Sequence, residues 1–233
     1  MEILSPKVIK LDAMSLTLSH TGSFEYTDPV FNIPMTKSIT TLTFSKFGHN
    51  LPAVEFGMTS STDERVKLFA GMQALIKSCV DNAEDIKDRI HQIILNKAKP
   101  KSEEERIEMM KMDFMKLKQW FMDDIRDSKI YKEFAEFNST KKLKVYSKAF
   151  NTFILDRNKY THGQLCFLSP DYDFVLEYIE TPAQQKRYAY LDTNILLSYN
   201  NCYIEIKKLI TEYNVIHQTR LLSDYKKKQE LNS

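Results

Sequence analysis

Arg157 and His162 stand five positions apart in the stretch Arg157-Asn158-Lys159-Tyr160-Thr161-His162-Gly163. A guanidinium is a permanent cation whose fork of donors matches a phosphate. An imidazole is the side chain best suited to move protons near neutral pH. Together they are a minimal kit for phosphodiester chemistry without a metal. An RNA strand carries its own nucleophile, the 2'-hydroxyl, so a protein needs only to assist proton transfer and stabilise the phosphorane. In this reading Arg157 binds and polarises the scissile phosphate, and His162 is the general acid or base. Asn158 orients the imidazole or a ribose hydroxyl. The chemistry calls for no cofactor, and the sequence offers no carboxylate cluster of the kind that holds a hard cation.

Around this kit lie candidate RNA contacts. Lys159 and Tyr160 fall inside the motif, and Lys141, Lys144 and Lys148 line one side of the helical pattern that leads to it. Lysines so placed can track a phosphate backbone, or they can form an ordinary solvated face. Tyr160 can stack on a base or pack beside the helix end. The bland reading of Arg157 and His162 is that they cap a helix C-terminus, where basic groups are favoured.

Geometry constrains the elements that position these residues. Leu143, Tyr146, Phe150 and Phe153 recur at helical spacing from Ser139 or Thr140 onward, and Arg157 falls in the last turn. At about 100° per residue, an unbroken helix would set Arg157 and His162 roughly 140° apart. The helix is therefore expected to end or distort between them, with Gly163 as the residue just past its end. A two-fold dimer offers another route, because two copies of the motif can form one cleft.

The rest of the chain reads as helices after residue 60. Ser61 and Glu64 have capping-box spacing and precede a long helix that Pro100 stops. Ser102 and Glu105 repeat the spacing, and Ile107, Met110, Phe114, Leu117, Phe121 and Ile125 predict one buried stripe reaching about Phe137. Pro170 and Pro182 are read as first helical residues, the second opening a last long helix through Ile195, Cys202, Ile206 and Tyr213. Residues 1–60 differ: they hold Pro6, Pro29, Pro34 and Pro52 and many Ser and Thr. They are expected to form short strands and loops. The expectation is a mainly α fold, an antiparallel helical bundle over 61–233 with a short strand- and loop-rich N-terminal extension over 1–60.

Bulk properties narrow the class. A net charge of +2 does not suggest a bulk polyanion binder, so any nucleic-acid contact must be local. No apolar run approaches a membrane span. Three cysteines without metal-type spacing fit a reduced, cytoplasmic compartment.

The stretch from Arg157 to Gly163 resembles the signature of the HEPN superfamily: an arginine, four to six residues, then a histidine, often with a polar residue after the arginine. Here four residues separate Arg157 from His162, Asn158 follows the arginine, and His162-Gly163 is a familiar ending. The resemblance covers about 61–216. It implies a helical-bundle domain, a homodimer, and metal-independent endoribonuclease activity leaving 2',3'-cyclic phosphate and 5'-hydroxyl ends. It also implies a toxin or anti-phage defence setting with an antitoxin or defence-system partner protein, or a non-catalytic binding module of the same fold. Gln164 stands where some members carry a tyrosine that a nucleotidyltransferase partner modifies, so a partner of that kind is not implied.

Overall fold

The structure is a computed structural model that describes residues 3–9, 14–27, 34–46, 64–168, 173–180 and 183–231. It is mainly helical. The helices are α1 (Glu64–Ala98), α2 (Glu103–Met110), α3 (Phe114–Asp127), α4 (Thr140–His162) and α5 (Thr193–Leu231), with a 3-10 turn at Ile130–Glu133. The strands are β1 (Lys7–Val8), β2 (Met14–Thr27), β3 (Pro34–Lys46), β4 (Gln164–Leu168), β5 (Asp173–Glu180) and β6 (Gln185–Tyr190). No described helix is long and apolar enough to cross a membrane.

The chain forms two compact units. One comprises Met1–Ile3, Asp81–Leu155 and Ser198–Ser233; the other comprises Leu4–Val80 and Asp156–Leu197. The first is helical. Its core is rich in rings: Phe150 meets Phe114 edge-on at 6.0 Å, Phe121 meets Tyr213 at 5.1 Å, and Phe153 stacks on Tyr199 at 4.3 Å. Such offset and edge contacts suit the ring quadrupole. Lys97, Asp124 and Tyr213 join the ends of α1, α3 and the middle of α5 through the two oxygens of one carboxylate.

The second unit holds a six-stranded sheet in the order β1-β6-β5-β4-β3-β2. Every neighbouring pair is antiparallel except β3 and β4, which run parallel with Thr41 opposite Phe167. The strands expected in residues 1–60 are present. They share their sheet with residues 164–190, and β2 and β3 are 14 and 13 residues long.

Three local expectations change. The stretch read as helical around Pro170 and Pro182 is strand: β4, β5 and β6 occupy it, the two prolines themselves lying outside the described residues. Val175 and Leu176 are both buried although neighbours on a strand face opposite ways, so the sheet is covered on both faces there. That burial produces a continuous apolar run, which periodicity cannot tell from a helix segment. Second, the helix opened by Ser102 stops at Met110. The Asp113 carboxylate accepts from Lys116 N at 2.8 Å and starts α3 afresh, leaving Ile107 and Met110 exposed. Ser102 caps α2, its hydroxyl accepting from Glu105 N, while the Glu105 carboxylate accepts from Lys101 N, one residue before the cap. Ser61 lies outside the described residues, so its box with Glu64 does too. Third, α4 runs without a break from Thr140 through His162.

Candidate functional site

The last two turns of α4 and the residues around them build the site from one buried carboxylate. Asp156 is only 1% exposed. Its Oδ2 accepts from the Ser5 hydroxyl at 2.7 Å, and its Oδ1 holds the Lys159 ammonium at 2.7 Å. The same ammonium lies 5.6 Å from the centre of the Tyr178 ring, a cation–π arrangement on β5. A buried carboxylate so paired has both oxygens satisfied and ties the last turns of α4 to Ser5 within their own unit.

Tyr160 sits on the inner side, 4% exposed. Burial, and then the charge of Asp156, push its phenol well above its ordinary range. It is packed as the alternative reading had it, so its ring face is not offered to a base. Lys159 is committed to Asp156 and Tyr178. At both positions the side chain is engaged within its own unit.

On the outer side, Arg157 is half-buried and Asn158 exposed. The Arg157 Nη1 donates to Asn158 Oδ1 at 3.1 Å. The Thr161 hydroxyl donates to the Arg157 carbonyl at 2.9 Å, a bond within the helix that takes up a carbonyl near its end. His162 is the last helical residue and is exposed. Because the helix does not distort, Arg157 and His162 stay roughly 140° apart around its axis. The expected break between them is absent, and one chain does not bring the pair onto one face.

Gly163 is required by crowding, not by a left-handed backbone. A methyl there would strike the Lys159 carbonyl and come within 2.9 Å of the Leu176 side chain. The glycine thus lets the chain leave α4 tightly and enter β4.

Lys141, Lys144 and Lys148 are exposed and belong to the helical unit. The thiols near the motif are inert by environment: burial pushes Cys79 and Cys166 up to about 12. Among the described residues, no three of His, Cys, Asp and Glu gather as metal ligands.

Comparison with known protein families, with curated proteins and with solved structures finds no match to this chain.

Sequence reasoning missed Asp156, Ser5 and Tyr178. The spacing of Asp156 and Lys159 is that of a helical ion pair and could have flagged the carboxylate. Nothing local marks Ser5, which reaches Asp156 from 151 residues away.

Proposed function

We propose that this chain is a metal-independent endoribonuclease of the HEPN type, acting as a toxin or anti-phage effector, whose cleaving centre is completed by two copies. One observation carries the reading: Arg157, paired with Asn158, and an exposed His162 share one unbroken helix end but not one face. A two-fold axis past that end sets the guanidinium of one copy opposite the imidazole of the other. The guanidinium holds the phosphate while the 2'-oxygen attacks phosphorus. The imidazole accepts the 2'-proton or protonates the departing 5'-oxygen, leaving a 2',3'-cyclic phosphate and a 5'-hydroxyl.

The test is cleavage of single-stranded RNA in EDTA. Arg157→Ala and His162→Ala are each expected to lose at least about 100-fold. An equal mixture of the two variants should regain cleavage, since a mixed pair holds one intact combination. Wild-type protein that cleaves nothing, or His162→Ala protein that cleaves normally, overturns the reading.

A second reading has its own support. Lys159 and Tyr160 are engaged inside the unit, which removes two expected RNA contacts. That favours a non-catalytic HEPN-like binding or scaffold module. It expects a stable partner complex and no cleavage under any condition.

A further inference from the structure

The start of α4 borders a groove of about 530 Å³. Glu136, Phe137 and Ser139 line it from the approach to the helix, and Lys141, Lys142, Val145 and Tyr146 line it from the helix itself. All of them belong to the helical unit. A groove of that size holds a small ligand.

The floor is apolar. The Phe137 ring meets the buried Tyr146 ring edge-on, with centroids 4.8 Å apart. The Tyr146 hydroxyl donates to the Glu205 carbonyl at 3.5 Å, so its polar tip is already engaged. Val145 adds an aliphatic wall and is 54% exposed.

The rim is cationic. Lys141 stands one turn before Val145, on the same side of the helix. Its ammonium forms no hydrogen bond or ion pair among the described residues. The Lys142 ammonium donates to the neutral Asn138 amide at 3.3 Å, which leaves its charge unbalanced. Glu136, the carboxylate in the lining, is held by Lys208 of α5 at 2.6 Å and does not offset these lysines. The first turn of α4 carries no acidic residue. Its positive dipole end therefore adds to the same field.

We propose that this groove binds a free carboxylic acid with an unbranched alkyl chain. The carboxylate lies at Lys141 and the start of α4, and the chain lies along Phe137, Tyr146 and Val145. The two halves of the groove sort the candidates. A peptide would bring backbone N–H and C=O groups onto the apolar floor, where they lose water without gaining partners. A polyphosphate has no apolar part to cover that floor. A fatty acid carries one charge at one end and methylenes along the rest, which matches both halves. Neither Arg157 nor His162 lines the groove, so the inference stands apart from the ribonuclease reading.

The test is calorimetric titration of the full chain with octanoate, decanoate and dodecanoate, each below its micelle concentration. Saturable binding of one acid per chain is expected. Each added pair of methylenes should tighten it at least about fourfold, the gain from burying one of the two. Decan-1-ol, which has the chain but no charge, should bind at least about tenfold more weakly than decanoate. Lys141→Glu should weaken decanoate by at least about tenfold, and Val145→Glu, which sets a carboxylate on the floor, should abolish binding. Lys226→Glu, near the far end of α5, should change nothing. The substituted side chains are exposed, and circular dichroism checks that each variant keeps its helix content. Absence of saturable binding overturns the proposal. So does equal binding of the alcohol, wild-type affinity in Lys141→Glu or Val145→Glu, or a loss in Lys226→Glu as large as that in Lys141→Glu.

Discussion

Asp156 sits beside the arginine of the motif, and its partners show what holds that helix end in place. Asp156→Asn keeps the shape but gives up a charge-assisted bond to Lys159. A loss of about 1–3 kcal/mol is expected, read as a lower urea midpoint; an unchanged midpoint would contradict the role given to it. Gly163→Ala drives a methyl toward the Lys159 carbonyl and Leu176. It should cost about 1–3 kcal/mol by overpacking, measured the same way. His91 makes a pH prediction. Both its ring nitrogens are buried, and neither forms a hydrogen bond among the described residues. Burial first, then the Lys87 cation, push its proton affinity down, while Asp88 and Glu84 pull the other way. The unfolded imidazole takes up its proton near pH of about 6.5, the folded one only at lower pH. In that window the unfolded chain binds more protons, so stability falls as pH drops through it and levels off below. His217 shifts in the same direction, by burial and then Lys97. His91→Leu should therefore flatten part of the fall between pH of about 7.5 and 5; an equal slope in both proteins would rule His91 out as its source. At this scale residue type alone suggests the chemistry proposed for Arg157, Asn158 and His162. The sequence hid the burial of Tyr160 and the seat of the Lys159 ammonium over Tyr178, because neighbours far along the chain help to decide both.

Elements were legible where their signals are local. The Ser102 cap, the start of α4 near Thr140 and the end of α1 before Pro100 all depend on residues within one turn. At that last point Lys99 adopts a left-handed φ of 47° and its N–H reaches the Leu95 carbonyl. The break between α2 and α3 was not legible, since Met110 and Phe114 continue the apolar spacing across it. Strand β5 was hidden by burial on both faces at Val175 and Leu176, which erases the alternation that marks a strand. One contact between elements yields a test. Lys118 of α3 is 3% exposed, and its ammonium donates to the Ser147 hydroxyl of α4 at 2.6 Å. Burial lowers its proton affinity, with Asp123 opposing. A buried ammonium held by a hydroxyl carries a desolvation cost that this one bond offsets in part. Lys118→Met keeps the apolar stem and should hold or raise stability, by about 1 kcal/mol. A urea midpoint that drops would show that the lysine is stabilising.

The chain passes between its two units at residues 3/4, 80/81, 155/156 and 197/198, the last three inside α1, α4 and α5. Neither unit is one continuous segment, so composition along the chain could show where strands concentrate but not which residues they join. A fragment of residues 61–233 would lack β1 to β3, leaving β4 and β6 with open edges and Asp156 without Ser5. Open edges invite pairing between chains. The fragment is expected to elute as a range of large species on gel filtration, and a sharp single-chain peak with native helix content would contradict this. The sheet also imposes an order in time. Strands β2 and β3 can pair as soon as residue 46 has been made, but the parallel partner of β3 ends at residue 168, and β1 waits for β6 at residue 190. At translation rates of about 5–20 residues per second, the free side of β3 stays open for roughly ten seconds on the ribosome. A nascent chain of this protein thus offers a sticky ribbon before it can close it, and a holding chaperone would find its substrate there.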